Sequence, residues 1–135
     1  LELTNAAFVY KKGIKFYKSG DLAAKIKGEF YILGRLDDTI KSSGHRINLS
    51  FIDNNISKYK YSVISKTISI KDKIRENIVI SFIVTNKKVS TDKIYSYLKT
   101  VLPEYHLPHR IILKKKLPQN TSGKVSSKEL IKKLG

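Results

Sequence analysis

The chain contains no cysteine, no methionine and no tryptophan. Without thiols, disulfides and thiolate metal sites are excluded, and the redox compartment is left open. Three scattered histidines, His45, His106 and His109, show no spacing that argues for a metal site. No apolar run approaches the ~20 residues that span a bilayer, and no signal-peptide pattern opens the sequence. Internal repeats and low-complexity linkers are also lacking. The chain starts at Leu1 without any methionine, so it is expected to be a segment of a longer protein. Its 135 residues are the size of one ordinary domain with one hydrophobic core.

Acidic residues are scarce as well: 11 against 27 cations, for a net charge of +16. A balance this basic invites a nucleic-acid reading. Only four of the cations are arginines, however, and arginine is the residue that reads base edges and clamps phosphates with its planar fork. The lysines are spread along the whole sequence, with Lys114–Lys116 the longest run. Isoleucine occurs 18 times and alanine four. That joint excess of lysine and isoleucine reads as a general substitution bias, with lysines solvating the surface. No specific nucleic acid and no membrane are expected as partners.

Aromatic and β-branched residues around Gly13 and Gly28 predict short strands with tight turns, as in Val9-Tyr10, Ile14–Tyr17 and Glu29–Leu33. The texture changes at Asp37. Ile40-Lys41 and Ile47-Asn48 flank Gly44 in a hairpin pattern. Ser50 to Asp53 has capping-box spacing, with Leu49, Ile52 and Ile56 on one helical stripe. Ser62–Ile70 partly alternates, and Ile78–Thr85 is apolar enough for a central strand covered on both faces. Ser90 opens a helix whose buried face holds Ile94, Tyr97, Leu98, Val101 and Leu102, and Pro103 stops it. Arg110–Leu113 is a short strand. Ser126–Glu129 is a second capping box, before a helix burying Leu130, Ile131 and Leu134, with Gly135 beyond its end. The fold expected from 37 onward is a small α+β domain: a short β-hairpin and a roughly three-stranded sheet packed by helices.

Three runs carry chemistry. Tyr17-Lys18-Ser19-Gly20-Asp21-Leu22 comes first, then Gly34-Arg35-Leu36-Asp37-Asp38-Thr39-Ile40-Lys41 leading to Gly44-His45-Arg46. The last is Leu117-Pro118-Gln119-Asn120-Thr121-Ser122-Gly123-Lys124. In this order they resemble the closing motifs of the adenylate-forming enzymes, which activate a carboxylate with ATP. The resemblance covers essentially the whole chain. It implies that residues 1–36 end a larger, strand-rich N-terminal ATP-binding domain and that 37–135 form the C-terminal lid.

The same resemblance implies roles. Asp21 would accept hydrogen bonds from both ribose hydroxyls of ATP, which two carboxylate oxygens suit well; an ordinary Ser-Gly-Asp turn stands beside that reading. Arg35 would lie near the nucleotide. Asp37 would be the hinge between domains, a short polar residue able to absorb a backbone change; a surface turn with a local Arg–Asp pair is the plainer alternative. Gly44 and Arg46 would meet the phosphopantetheine arm of an acceptor thiol after the lid turns. A tight hairpin alone also explains Gly44, and a plain surface arginine explains Arg46. Lys124, delivered on a flexible glycine-containing loop, would neutralise charge building on the carboxylate and α-phosphate, where the bland reading is a solvated lysine. His45 carries no expected chemistry.

Ile40-Lys41 with Gly44-His45-Arg46-Ile47, Leu102-Pro103-Glu104-Tyr105-His106-Leu107-Pro108, and Thr121–Val125 resemble the amino-acid-activating, carrier-protein-loading branch most. Asn48, Phe51 and Asp53 stand where the family usually has glutamates, His106 replaces a methionine, and Ser126-Ser127 replace Asp-Arg. No Ser/Thr-Gly-x-Pro-Lys-Gly triphosphate loop is present. The expected whole is therefore a cytoplasmic ligase using ATP and Mg2+, with this segment inert alone. Coenzyme A is the alternative acceptor. A basic nucleic-acid-binding module and a free-standing interaction domain that borrowed the lid are the rival readings.

Overall fold

A computed structural model describes the backbone of residues 8–11, 14–17, 21–26 and 29–35, and the chain in full from 38 to 134. In the first part, β1 (Phe8–Lys11) pairs antiparallel with β2 (Ile14–Tyr17), and β3 (Asp21–Ile26) with β4 (Glu29–Arg35). The second part runs β5 (Thr39–Ser42), β6 (His45–Asn48), α1 (Leu49–Ser57), β7 (Ser62–Asp72), β8 (Glu76–Thr85) and α2 (Thr91–Val101). A 3-10 turn (Glu104–His106), β9 (Arg110–Leu113) and α3 (Ser127–Leu134) complete it. This is the small α+β arrangement expected from the sequence.

Strand β8 is central, antiparallel to β7 and parallel to β9. Its run of isoleucine, valine and phenylalanine suits a pleated surface buried on both sides. Val79 and Ile83 point to one face, where Ile52 and Ile56 of α1, Ile94 and Leu98 of α2, Ile47 and Leu102 cover them. Ile80 and Phe82 point to the other, against Ile68, Leu117 and Leu130. Ser81 sits between them on the first face, fully buried.

The β5–β6 hairpin closes through Ser43 (φ 50°) and Gly44 (φ 80°), both left-handed, as a two-residue primed turn requires. It docks on the β7–β8 turn: Ser43 N–H donates to the Arg75 carbonyl at 2.8 Å, the Ser42 hydroxyl to the Asn77 carbonyl at 2.6 Å, and the Asn77 amide to the Lys41 carbonyl at 2.7 Å.

Helix α1 does not start with the capping box read at Ser50–Asp53. Its cap is Asn48, whose Oδ1 accepts from Phe51 N–H at 2.8 Å. Strand β6 runs directly into the helix, so the cap falls two residues earlier, and the Ser50 hydroxyl donates to Asp38 instead. Ser90 and Ser126 do cap α2 and α3, accepting from Lys93 N–H and Glu129 N–H, each at 3.3 Å. Glu129 pairs with Lys132 (3.7 Å). Two expected core residues face water: Val101 is 38% exposed and Ile131 43%. The helix ends at Val101 and the chain turns extended at Leu102, which is buried while Val101 is left at the edge. In the short α3, Leu130 and Leu134 already fill the stripe that the sheet covers.

Asp53 ties α1 to the sheet. Its carboxylate accepts from Ser65 Oγ (2.8 Å), Thr67 Oγ1 (2.8 Å) and Thr67 N–H (3.0 Å). Thr67 Oγ1 in turn lies 2.7 Å from Ser81 Oγ, both fully buried. With Thr67 donating to Asp53, Ser81 donates to Thr67, giving a polar seam from α1 into the centre of the sheet. Burial pushes the Asp53 carboxyl up, against the lowering pull of its Thr67 and Ser65 bonds and of Lys66.

Asp53→Ala should cost about 1–3 kcal/mol in urea unfolding at pH 7, because buried donors lose their acceptor. The raised pKa sets the pH trend. The native carboxyl binds its proton more tightly than the unfolded one, so this contribution is full below 3.8 and fades as pH rises through the folded value. The wild-type margin over Asp53→Ala should therefore widen on acidification from pH 7 towards 4. A margin that narrows would contradict the assignment.

Candidate functional site

Lys124 sits in the connection from β9 to α3, whose ends are anchored on the second face of β8. Leu117 and Leu130 are buried there, with Val125 packed beside them. Between the anchors, residues 119–124 are exposed. The loop is held by polar bonds centred on Asn120. The Asn120 Oδ1 accepts from Ser122 N–H (3.0 Å), Ser122 Oγ (2.7 Å) and Lys124 N–H (3.0 Å). The Asn120 N–H donates to the Lys124 carbonyl (2.7 Å), and Gly123 N–H to the Asn120 carbonyl (3.0 Å). Gly123, at φ +84°, turns the chain so that Gln119 and Val125 form a bridge. These bonds gather the loop around Asn120 and leave Lys124 as an exposed ammonium on the turn.

The second candidate group lies on the β5–β6 hairpin. Gly44 needs its left-handed φ, while a Cβ there would meet nothing within 4 Å, so conformation rather than crowding calls for glycine. Arg46 is exposed and pairs across the strands with Lys41, which places two cations on one side of the hairpin. Like charges in such a pair repel unless an anion lies between them. His45 stacks on Tyr105 with ring centroids 4.6 Å apart and planes 15° apart. Behind it His106 is buried, edge-on to Phe51 at 5.3 Å, and its Nδ1 has no hydrogen-bond partner. Burial, and then His45 nearby, hold the His106 pKa below the usual histidine range. An imidazole kept neutral among aromatic rings fills a methionine-like place.

Ile40 and Ile47 of that hairpin pack on the first face of β8, whereas the Lys124 loop packs on the second. The structure therefore does not bring Lys124 together with Gly44 and Arg46. Asp21 and Arg35 stand opposite each other at one end of the β3–β4 ladder. Asp37 lies outside the described residues. A groove of about 320 Å³ is lined by Ile64, Val84, Lys115, Lys116, Leu117 and Gln119, none of them a candidate site residue. Among the described residues no three His, Asp or Glu side chains gather as a metal site. Sequence reasoning gave no role to Asn120 or Lys41. The Asn-Thr-Ser-Gly run was the available signal for the first, since asparagine readily bonds the backbone two residues on.

No protein-family model matches the chain. Known proteins do. Bacitracin synthase 1 of Bacillus licheniformis is 32% identical over 133 residues, which is 96% of this chain and 2% of that protein. D-alanine--D-alanyl carrier protein ligase of Staphylococcus haemolyticus is 29% identical over 134 residues, covering 96% of this chain and 28% of the ligase. Among solved structures, Mycobacterium tuberculosis fatty acyl CoA synthetase superposes with a TM-score of 0.70 at 25% identity, over 92% of this chain and 25% of the synthetase. The chain thus spans less than a third of each of these proteins.

His106→Met should hold or raise stability at pH 7, because a similar volume replaces a desolvated imidazole. The depressed pKa means that the unfolded chain binds the proton more readily. The His106 contribution to stability is therefore full above 6.5 and is lost as pH falls through the folded value. Urea unfolding at pH 7 and pH 5 should show a smaller acid loss for His106→Met, and parallel losses would refute the assignment.

Proposed function

We propose that this chain, which is related to the C-terminal part of the adenylate-forming enzymes, is the lid of an ATP-dependent ligase. In this reading residues 1–36 close the larger domain, 37–135 form the lid, and Asp37 is the hinge. The carboxylate oxygen of the substrate, an amino acid, attacks the α-phosphorus of ATP. The bond to pyrophosphate breaks, and acyl-AMP forms. The Lys124 ammonium lies against the carboxylate and an α-phosphate oxygen and offsets the charge that builds there. Asp21 holds the ribose hydroxyls and Arg35 lies near the nucleotide. Mg2+ accompanies the triphosphate, and this chain is assigned no ligand to it. In this reading the enzyme works in the cytoplasm, where ATP is. Among the described residues no helix is long and apolar enough to cross a membrane.

In the second half-reaction a phosphopantetheine thiol attacks the acyl carbon and AMP leaves. The observation that carries the two-step reading is that the Lys124 loop and the Gly44–Arg46 hairpin pack on opposite faces of β8. One rigid lid with those faces offers them to a reacting centre one at a time, by turning. Lys41 and Arg46 would then meet a phosphate of the arriving arm. The name of the Staphylococcus relative joins an amino acid with a carrier protein, which supports a carrier-bound acceptor. The likeness to a fatty acyl CoA synthetase favours coenzyme A as the second reading.

Lys124→Ala in the full-length enzyme should cut carboxylate-dependent ATP–pyrophosphate exchange by about 10²-fold or more, roughly 2.7 kcal/mol or above. Thioester formation from pre-made acyl-adenylate should stay nearly normal. Lys124→Arg should not rescue exchange, since the planar fork is no compact point charge. Exchange preserved within a few-fold in Lys124→Ala would end the catalytic assignment.

A further inference from the structure

We propose that Asn120 is a positioning residue, whose carboxamide oxygen holds the loop in the shape that presents Lys124. This rests on the reading of Lys124 just given and adds the device that aims it. The carboxamide oxygen takes three donors, one of them the backbone N–H of Lys124 itself, at 3.0 Å. The other two come from Ser122, its N–H at 3.0 Å and its hydroxyl at 2.7 Å. Two main-chain bonds close the same turn, Asn120 N–H to Lys124 O at 2.7 Å and Gly123 N–H to Asn120 O at 3.0 Å.

The geometry selects the residue type. Rotating the amide by half a turn would set its NH2 against two backbone N–H groups, so the donors fix the oxygen inward. Alanine has no acceptor. Glutamine carries one, a methylene too far out. Thr121, Ser122, Gly123 and Lys124 are exposed, so no hydrophobic packing holds them. The order of this turn comes from polar bonds, and most of those converge on Asn120. Fixing the Lys124 N–H fixes the direction in which its side chain leaves the backbone. The ammonium then searches a smaller volume, and the ordering is complete before the transition state forms.

The test uses the full-length enzyme and both half-reactions. Asn120→Ala should lower kcat of ATP–pyrophosphate exchange roughly 10-fold or more, with KM for ATP and for the carboxylate within about twofold. Asn120→Gln, which keeps the amide but shifts its oxygen, should fall similarly. Asn120→Asp keeps an acceptor in place and should recover most of the loss. Thioester formation from pre-made acyl-adenylate should be unchanged in all three. In a Lys124→Ala background, Asn120→Ala should lower exchange by less than about twofold further, because its effect runs through Lys124.

Three results would overturn the inference while leaving the catalytic assignment standing: wild-type exchange in Asn120→Ala beside a deep loss in Lys124→Ala, the same proportional loss in both backgrounds, or failure of Asn120→Asp to recover. A Lys124→Ala enzyme with normal exchange would bring down the catalytic reading and this inference together.

Discussion

Strand β8 is buried on both faces, and a strand of that kind must be covered twice. That constraint sets most of what surrounds it. Helices α1 and α2 and the β5–β6 hairpin cover one side; Leu117, Leu130 and the chain between them cover the other. Because the hairpin and the Lys124 loop are parts of these two covers, the core that stabilises the domain also holds them apart. A strand apolar on one face alone would have allowed both groups on one side, or left one of them unanchored. The polar seam from Ser81 through Thr67 to Asp53 passes through the same strand pair. It fixes α1 over the sheet at the cost of a partly desolvated carboxylate.

Outside the core, one device recurs. Asn48 Oδ1 caps α1 at Phe51 N–H, and Asp72 Oδ2 accepts from Ile74 N–H (3.1 Å) and Arg75 N–H (2.7 Å) at the β7–β8 turn. Asn120 Oδ1 does the same in the Lys124 loop. In each case a short side-chain acceptor satisfies main-chain donors that no ladder reaches. The backbone bond to Arg75 holds the Asp72 carboxyl below the usual carboxylate range.

Period and punctuation made much of the fold legible. The nearly continuous apolar run at Ile78–Thr85 announced the central strand, and Ser90 and Ser126 announced their helices. Ser43 and Gly44 sit where a hairpin was read. The misreadings share a cause. Ser50–Asp53 has the spacing of a capping box, but the real cap depends on where β6 stops, and Asp53 is claimed by donors on β7 that are distant in sequence. Val101 and Ile131 follow the helical period, yet burial depends on which neighbours reach them. The motifs named Lys124, Gly44 and Arg46, and periodicity could not show on which face of the sheet each would be mounted. Nor could it show that a glycine-bearing loop is tied by an asparagine.

In the role proposed for Lys124, the shape of its loop is set by the Asn120 bonds before any substrate arrives. If the proposed lid role holds, a crystal structure of the full-length protein closed over ATP and a carboxylate is the decisive check. Asn120 Oδ1 should stay about 3 Å from the Ser122 and Lys124 nitrogens, as it is here. The Lys124 ammonium should also lie within hydrogen-bonding reach of an α-phosphate oxygen. A closed complex in which the Asn120 bonds are broken, or in which Lys124 points into solvent, would contradict it.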